Sequence, residues 1–276
     1  MLLLFILLGI FTGILINRMA DNLPWERAAF ATPHCAHCST PRARIQFSGI
    51  VAFLARRDKC QNCGAPLALR APLVEIATAF LFAFLANRYP FGAYLLLVCF
   101  FSAVLVLIAV IDIEHKLILN VVSLPATALA FIVSPILLGG PDATLESIKW
   151  NRYWISLLGI VTGYALTLAI YYLGIVFLKL VNRGRAQKIN TVAFGMGDVK
   201  LAGLLGALIG FPAIFYALIY AILLGGVGAV IAIAFRMLTR RSYSAFMAIP
   251  YGPYLILAGG AFLIFGSALL QRIMGT

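Results

Sequence analysis

Residues 104–112 read Val104-Leu105-Val106-Leu107-Ile108-Ala109-Val110-Ile111-Asp112. Eight apolar side chains follow one another without a polar alternate, so this is not a strand with one wet face. The apolar stretch reaches back to Phe91, and a run of about 20 such residues is long enough to cross a bilayer. It ends on a carboxylate, which is costly at membrane depth and marks a functional residue there.

The rest of the chain repeats the pattern. Of its 276 residues, 63% are apolar and 11% charged, whereas a soluble domain is about half apolar and a quarter charged. Lipid offers no hydrogen bonds to a peptide group, so only helices or closed barrels span it. The runs are long and lack period-2 alternation, which excludes a barrel. The expected fold is therefore an all-α polytopic membrane protein with about eight transmembrane helices, at roughly 2–16, 73–89, 91–111, 120–138, 154–178, 199–210, 212–235 and 250–270. The break at Gly210-Phe211-Pro212 reads as a tight hairpin between two spans, or as a kink in one bent helix, since Pro lacks a backbone donor. The 199–235 stretch is too long for one ordinary crossing, which favours the hairpin.

The net charge of +12 does not point to nucleic acid, because the basic residues fall between the apolar runs, where they orient a membrane protein. The first span lacks a basic stretch before it and has Arg18 after it, so it reads as an anchor rather than a cleaved signal. With the N-terminus outside and eight alternating spans, 17 Lys and Arg fall inside and four outside. Lipid bilayer is thus the expected surrounding, with the 17–72 loop, the 112–119 segment, the 179–200 segment and the 236–248 loop on the cytoplasmic side.

Three parts follow: a first helix at 1–16, a soluble loop at 17–72, and a helical membrane core at 73–276. The loop carries Cys35-Ala-His-Cys38 and Cys60-Gln-Asn-Cys63. Two CxxC pairs at this separation match a zinc-ribbon pattern. Four thiolates suit tetrahedral Zn2+ and leave no open position, so such a zinc is structural. The alternatives are a redox pair, four unligated thiols, or a metal site in which His34 or His37 replaces a cysteine ligand. Cys99 lies alone in an apolar span and reads as a packed small residue.

Of the nine acids, Glu75, Asp112, Glu114 and Asp198 stand at or near span ends. Asp112 and Asp198 lie at matching depth on the cytoplasmic side. Two carboxylates brought together cannot both ionise readily and share a proton. The charged member can then take a proton from attacking water while the neutral one donates to the developing oxyanion or amine. Gly195 and Gly197, in Phe194-Gly195-Met196-Gly197-Asp198-Val199-Lys200, are expected to allow unusual backbone angles and close approach of a substrate strand. Plainer readings also exist. Asp112 and Glu114 pair with Lys116, Asp198 caps its helix and pairs with Lys200, and Glu75 serves the dipole of its own helix. Lys200 and His115 read as interfacial residues.

Taken together these residues resemble the bacterial type IV prepilin peptidase family, the leader peptidases with a GxGD motif. The likeness runs through Gly9–Arg18, the Cys35–Cys63 loop with Arg70-Ala71-Pro72-Leu73-Val74-Glu75, Ile111-Asp112-Ile113-Glu114-His115, Phe194–Leu201, and Ile249-Pro250-Tyr251-Gly252-Pro253-Tyr254. The resemblance implies a bacterial inner-membrane aspartic endopeptidase that cleaves the basic leader from prepilins or pseudopilins after a glycine. It also implies S-adenosylmethionine-dependent N-methylation of the new N-terminus. By motif, Asp112 and Asp198 are its catalytic pair, Cys35, Cys38, Cys60 and Cys63 its zinc ligands, and Glu75, Gly195, Gly197 and Lys200 its supporting residues. The chain departs from the family in the first helix, where Ile10 and Gly13 replace a small polar residue and an asparagine, and at Leu119, where a proline is usual.

Overall fold

The computed structural model describes residues 1–35, 37–143, 149–183, 194–238 and 251–274. Arg185, Lys188, Arg240, Arg241, Ile249 and Pro250, which the sequence reading used, lie outside these. Among the described residues the regular structure is helical, apart from two isolated bridges in the cysteine loop. They form two compact units, Met1–His115 and Lys116–Thr276.

The first unit holds α1 (Leu2–Asn22), the short α2 (Gly49–Leu54), α3 (Arg70–Arg88) and α4 (Ala93–His115). Helix α1 does not stop at residue 16, where the apolar run ends. It continues to Asn22 because its polar end is hydrogen-bonded within the protein. Asn17 Nδ2 donates to the Ala71 carbonyl at 2.9 Å and Asn22 Nδ2 to that of Ala31 at 3.0 Å. Contacts of Gly9 with Thr78 and Ala79, of Gly13 with Glu75 and of Asn17 with Ala71 show that α1 and α3 run antiparallel. Glycine permits the approach: a Cβ on Gly13 would lie 2.6 Å from the Glu75 Cα. Small residues in this spacing let membrane helices touch backbone to backbone. Pro72 falls in the first turn of α3, where the missing N–H has no acceptor to lose.

The second unit holds α5 (Asn120–Leu137), α6 (Trp150–Val181), α7 (Met196–Ile209), α8 (Ala213–Leu238) and α9 (Gly252–Met274). Helix α7 is its centre. Every residue from Asp198 to Ile209 except Lys200 is buried, against α5, α6 and α9. At 14 residues it is too short to cross lipid alone, but other helices rather than lipid surround it. Helices α6 and α7 meet antiparallel through Gly159 and Gly206, and Ser156 Oγ donates to the Ala207 carbonyl at 3.0 Å. Between α7 and α8, Gly210 has φ +68° and ψ −179°, a backbone conformation that glycine adopts without a Cβ penalty and that ends the helix. The Phe211 amide donates to Ile155 O of α6 instead. The break therefore separates two helices and is not a kink in one.

All eight expected spans coincide with helices. Six of these are long and apolar enough to cross a membrane, and the other two are α7 and α9. This is a multi-pass membrane protein.

The Gly159–Gly206 contact yields a test. A Cβ on Gly206 would lie 2.1 Å from the Gly159 oxygen, whereas one on Gly226 meets nothing within 4 Å. Gly206→Ala should destabilise the detergent-solubilised protein by about 1–3 kcal/mol through overpacking, lowering its thermal midpoint. Gly226→Ala should leave the midpoint unchanged or raise it.

Candidate active site and metal centre

The four loop cysteines converge. Their Sγ atoms all lie within 4.8 Å of one another, with Cys35 to Cys63 at 3.6 Å and Cys38 to Cys60 at 3.7 Å. A tetrahedral zinc–thiolate centre has an edge of about 3.8 Å, from a Zn–S bond of about 2.3 Å, so the cluster can hold such an ion.

Two copies of one local turn build it. Cys35 N–H donates to Thr40 O and Ser39 N–H to Cys35 O; Cys60 N–H donates to Ala65 O and Gly64 N–H to Cys60 O. Ser39 and Gly64, each four residues after its first cysteine, both have positive φ. Pro41 and Pro66 then form the bridges back to His34 and Lys59. The repeat was visible in the sequence as Cys35-x-x-Cys38-x-x-Pro41 and Cys60-x-x-Cys63-x-x-Pro66.

The turns draw two of the thiols toward thiolate, whereas Cys63, although an Ala65 amide hydrogen bond lowers it, is pushed up to about 12 by hydrogen bonding with its neighbouring thiols and by burial. Amide hydrogen bonds at His37 and Cys38 hold the Cys35 thiol below its usual range, and hydrogen bonding to Thr40 brings Cys38 down to about 6. Neither histidine joins the cluster. Gln46, which sequence reasoning passed over, ties the second turn down by donating to Arg57 O and Lys59 O at 2.9 and 2.7 Å.

Glu75 links this loop to the helices, in a way the sequence reading did not anticipate. It is fully buried, and its carboxylate serves not its own helix but the N-terminus of α2. It accepts from the Gly49 amide at 2.6 Å, the Ile50 amide at 3.1 Å and the Ser48 hydroxyl at 2.7 Å. An anion at a helix N-terminus meets unsatisfied N–H groups and the positive end of the dipole. Ser48 Oγ meanwhile caps α2 by accepting from Val51 N–H.

Beside it lies a chain of charges. Arg70 donates to Glu114 and, at 2.5 Å, to Asp21, which also faces Arg42 at 3.7 Å. Glu114 thus finds Arg70, and His115 at 3.8 Å. Trp25 stacks edge-on against the His115 ring.

Each expected catalytic carboxylate is buried in its own unit, Asp112 at 5% exposure near the end of α4 and Asp198 at 8% in the first turn of α7. Asp198 Oδ2 accepts from the Gly195 amide at 2.9 Å, so it does cap its helix. Lys200 donates not to Asp198 but to Asn120 Oδ1 at the start of α5, at 2.6 Å.

The two glycines do not supply the unusual backbone angles expected of them. Gly195 has φ −95° and ψ 156°, ordinary extended backbone, and Gly197 lies within α7, so neither supplies an unusual angle. Gly197 leaves room for Ile118, whose Cβ would lie 3.0 Å from an added Cβ. Gly195 and Met196 are exposed beside the buried Asp198, which keeps the approach to the backbone open.

Comparison with known proteins agrees with this architecture. The model described as "Type IV leader peptidase family" matches residues 99–230, and that described as "Bacterial Peptidase A24 N-terminal domain" matches residues 4–89. A prepilin leader peptidase/N-methyltransferase of Pseudomonas aeruginosa is 29% identical, covering 98% of this chain and 92% of its own. One of Stutzerimonas stutzeri is 29% identical over 96% and 89%, and one of Bacillus subtilis 25% over 87% and 82%. No solved structure gives a significant match. An all-α multi-pass fold whose two matched parts meet the four-cysteine loop and the GxGD helix is that of a membrane enzyme. The chain belongs to the type IV leader peptidase family.

Removing the Glu75 carboxylate tests the link between loop and helices. Glu75→Ala leaves three donors of the α2 N-terminus unpaired and should cost about 2 kcal/mol or more. Trypsin should then cut the Arg42–Lys59 region faster, with Glu75→Gln intermediate.

Proposed function

We propose that this chain is an aspartic endopeptidase of the bacterial inner membrane that removes the basic leader from type IV prepilins or pseudopilins after a glycine and then methylates the new N-terminus. The observation that carries this reading is the near full-length similarity to prepilin leader peptidase/N-methyltransferases, joined to a buried carboxylate in each of the two motifs that match the family.

Asp112 and Asp198 serve as the catalytic pair. Substrate lies with its apolar segment in lipid and its leader in the cytoplasm, so the scissile bond reaches the inner interface. One carboxylate, ionised, takes a proton from water as the oxygen attacks the peptide carbonyl. The other, protonated, donates to the developing oxyanion and then to the leaving amine. No covalent intermediate forms. The Gly195 amide orients the Asp198 carboxylate for this work, and Lys200, through Asn120, fixes the start of α7 against that of α5.

Residues 17–72 act as a cytoplasmic zinc-binding domain and 73–276 as the protease core. Cys35, Cys38, Cys60 and Cys63 hold a structural Zn2+, which supplies folding free energy to a loop with little apolar core of its own. That core is small: Ala52, Leu67 and Ala71 with Phe53 against them. S-adenosylmethionine supplies the methyl group. Gly13, which departs from the family pattern, has a packing role against α3, so its identity answers to helix contact.

The experiment is prepilin processing by the purified protein in lipid with S-adenosylmethionine present, read by intact mass. Loss of the leader followed by a gain of about one methyl group is expected. Asp112→Asn and Asp198→Asn should each slow cleavage by at least about 100-fold while membrane insertion persists; full cleavage by both variants overturns the assignment. Metal analysis should find one zinc per chain. Cys60→Ser should lose it, and the loop should then become protease-sensitive.

A further inference from the structure

The first unit contains a cavity of about 400 Å3 bounded by the end of α1, the cysteine loop, the start of α3 and the end of α4. We propose that this cavity binds the methyl donor, S-adenosylmethionine, with Trp25, Arg27, Asp21 and Glu114 as its principal contacts; the inference rests on the methyl-transfer reading above.

The ligand carries a carboxylate, an ammonium and a sulfonium, two cationic groups and one anionic, with a flat purine at one end. A site for it needs both signs of charge and an aromatic face. This cavity is lined by two acids, Asp21 and Glu114, and by Arg27, Arg42 and Arg70. A basic leader peptide would meet more cations than anions here, and a phosphate would meet two carboxylates. A ligand bearing both signs matches the lining.

The lining is also ordered. Arg70 bonds Asp21 and Glu114 together, which fixes both carboxylates, and a carboxylate has acceptor capacity beyond one such bond. These can receive the ammonium and ribose hydroxyls. Trp25 is 65% exposed and stands edge-on to His115 with ring centroids 6.1 Å apart. Such a ring can stack on a purine, and an aromatic face attracts a cation such as a sulfonium. Arg27, exposed at the mouth, is placed to pair with the ligand carboxylate bidentately.

A further observation points to a missing polar partner. His34 Nδ1 and Arg70 Nε are shielded from solvent without a hydrogen-bond partner among the described residues, and both residues line this cavity. Buried polar nitrogens are almost always paired, so a polar ligand or ordered water belongs here.

Placement suits the chemistry. His115 follows Asp112 by three residues in α4, a rise of about 4.5 Å. The cavity wall thus begins within one helical turn of a carboxylate assigned to cleavage, where a new α-amine is released. In the transfer the neutral amine nitrogen attacks the methyl carbon. The N–C bond forms, the C–S bond breaks, and its electron pair stays on sulfur, giving a neutral thioether. The secondary ammonium then loses its surplus proton to water.

The test uses full-length, zinc-loaded protein in detergent and measures binding of S-adenosylhomocysteine by titration calorimetry, with prepilin cleavage assayed in parallel on the wild type. Trp25→Ala and Arg27→Ala should each weaken binding at least about tenfold, while Trp25→Phe, which keeps the ring, should bind within about threefold of wild type. Unchanged binding in both alanine variants places the donor elsewhere and overturns the proposal. Wild-type protein that cleaves prepilin yet does not bind S-adenosylhomocysteine overturns it too, and leaves the peptidase assignment standing. Wild-type protein that does neither overturns the underlying reading as well.

Discussion

A carboxylate inside a helical membrane protein must find its hydrogen bonds within the protein, because lipid supplies none. The arrangement of α7 follows from this constraint. Asp198 opens the helix, and its carboxylate is satisfied in part by the amide three residues earlier. The rest of α7 is small and apolar, rich in Gly, Ala and Leu, so α5, α6 and α9 can close around it. Close packing on all sides makes a 14-residue helix tolerable where a lipid-facing one would be too short. It also keeps the residue that opens it at a fixed depth.

The same rule explains how a polar loop is tied to apolar helices in the first unit. Glu75 sits on a membrane helix yet makes its hydrogen bonds with the loop, through the N-terminus of α2. Asn17 answers with a bond from α1 to the first turn of α3. Both side chains are buried, so each must be paired or costs free energy. The pairing gives loop and helices one geometry in place of a tethered flexible insert. With Arg70 joining the ends of α1 and α4, the cysteine loop and the membrane helices of this unit are tied together by polar contacts.

Much of this was legible in the sequence because the strongest signals are one-dimensional. Apolar runs mark helices whatever their partners are, and paired CxxC turns mark a metal cluster because each turn fixes two sulfurs locally. Asp112 and Asp198 stood out because acids are rare near span ends. What the sequence hid was partnership. Nothing around Glu75 says that its acceptors serve another helix 26 residues back. The end of α1 was misjudged because hydropathy counts Asn17 and Asn22 as exposed when hydrogen bonds bury them. Gly195 and Gly197 were credited with backbone freedom, whereas only space against Ile118 and access to the Asp198 turn are at stake.

On the proposed reading, one feature of α4 links the two chemistries. A peptidase that cuts a membrane-anchored substrate does not release its product quickly, because the apolar segment stays in lipid. The amine it uncovers therefore remains near the carboxylate that helped to form it. A methyl donor need only be held within a short reach of that point, and a separate substrate site for the amine is unnecessary. Helix α4 meets this requirement economically: Glu114 and His115 follow Asp112 within one turn, and those two residues line a cavity that joins α4 to the cysteine loop. The metal cluster then acquires a purpose beyond folding a loop. Cys35 belongs both to the four-cysteine cluster and, with His34, to the wall of that cavity, so a metal held by the cluster would brace the donor site as well as the loop.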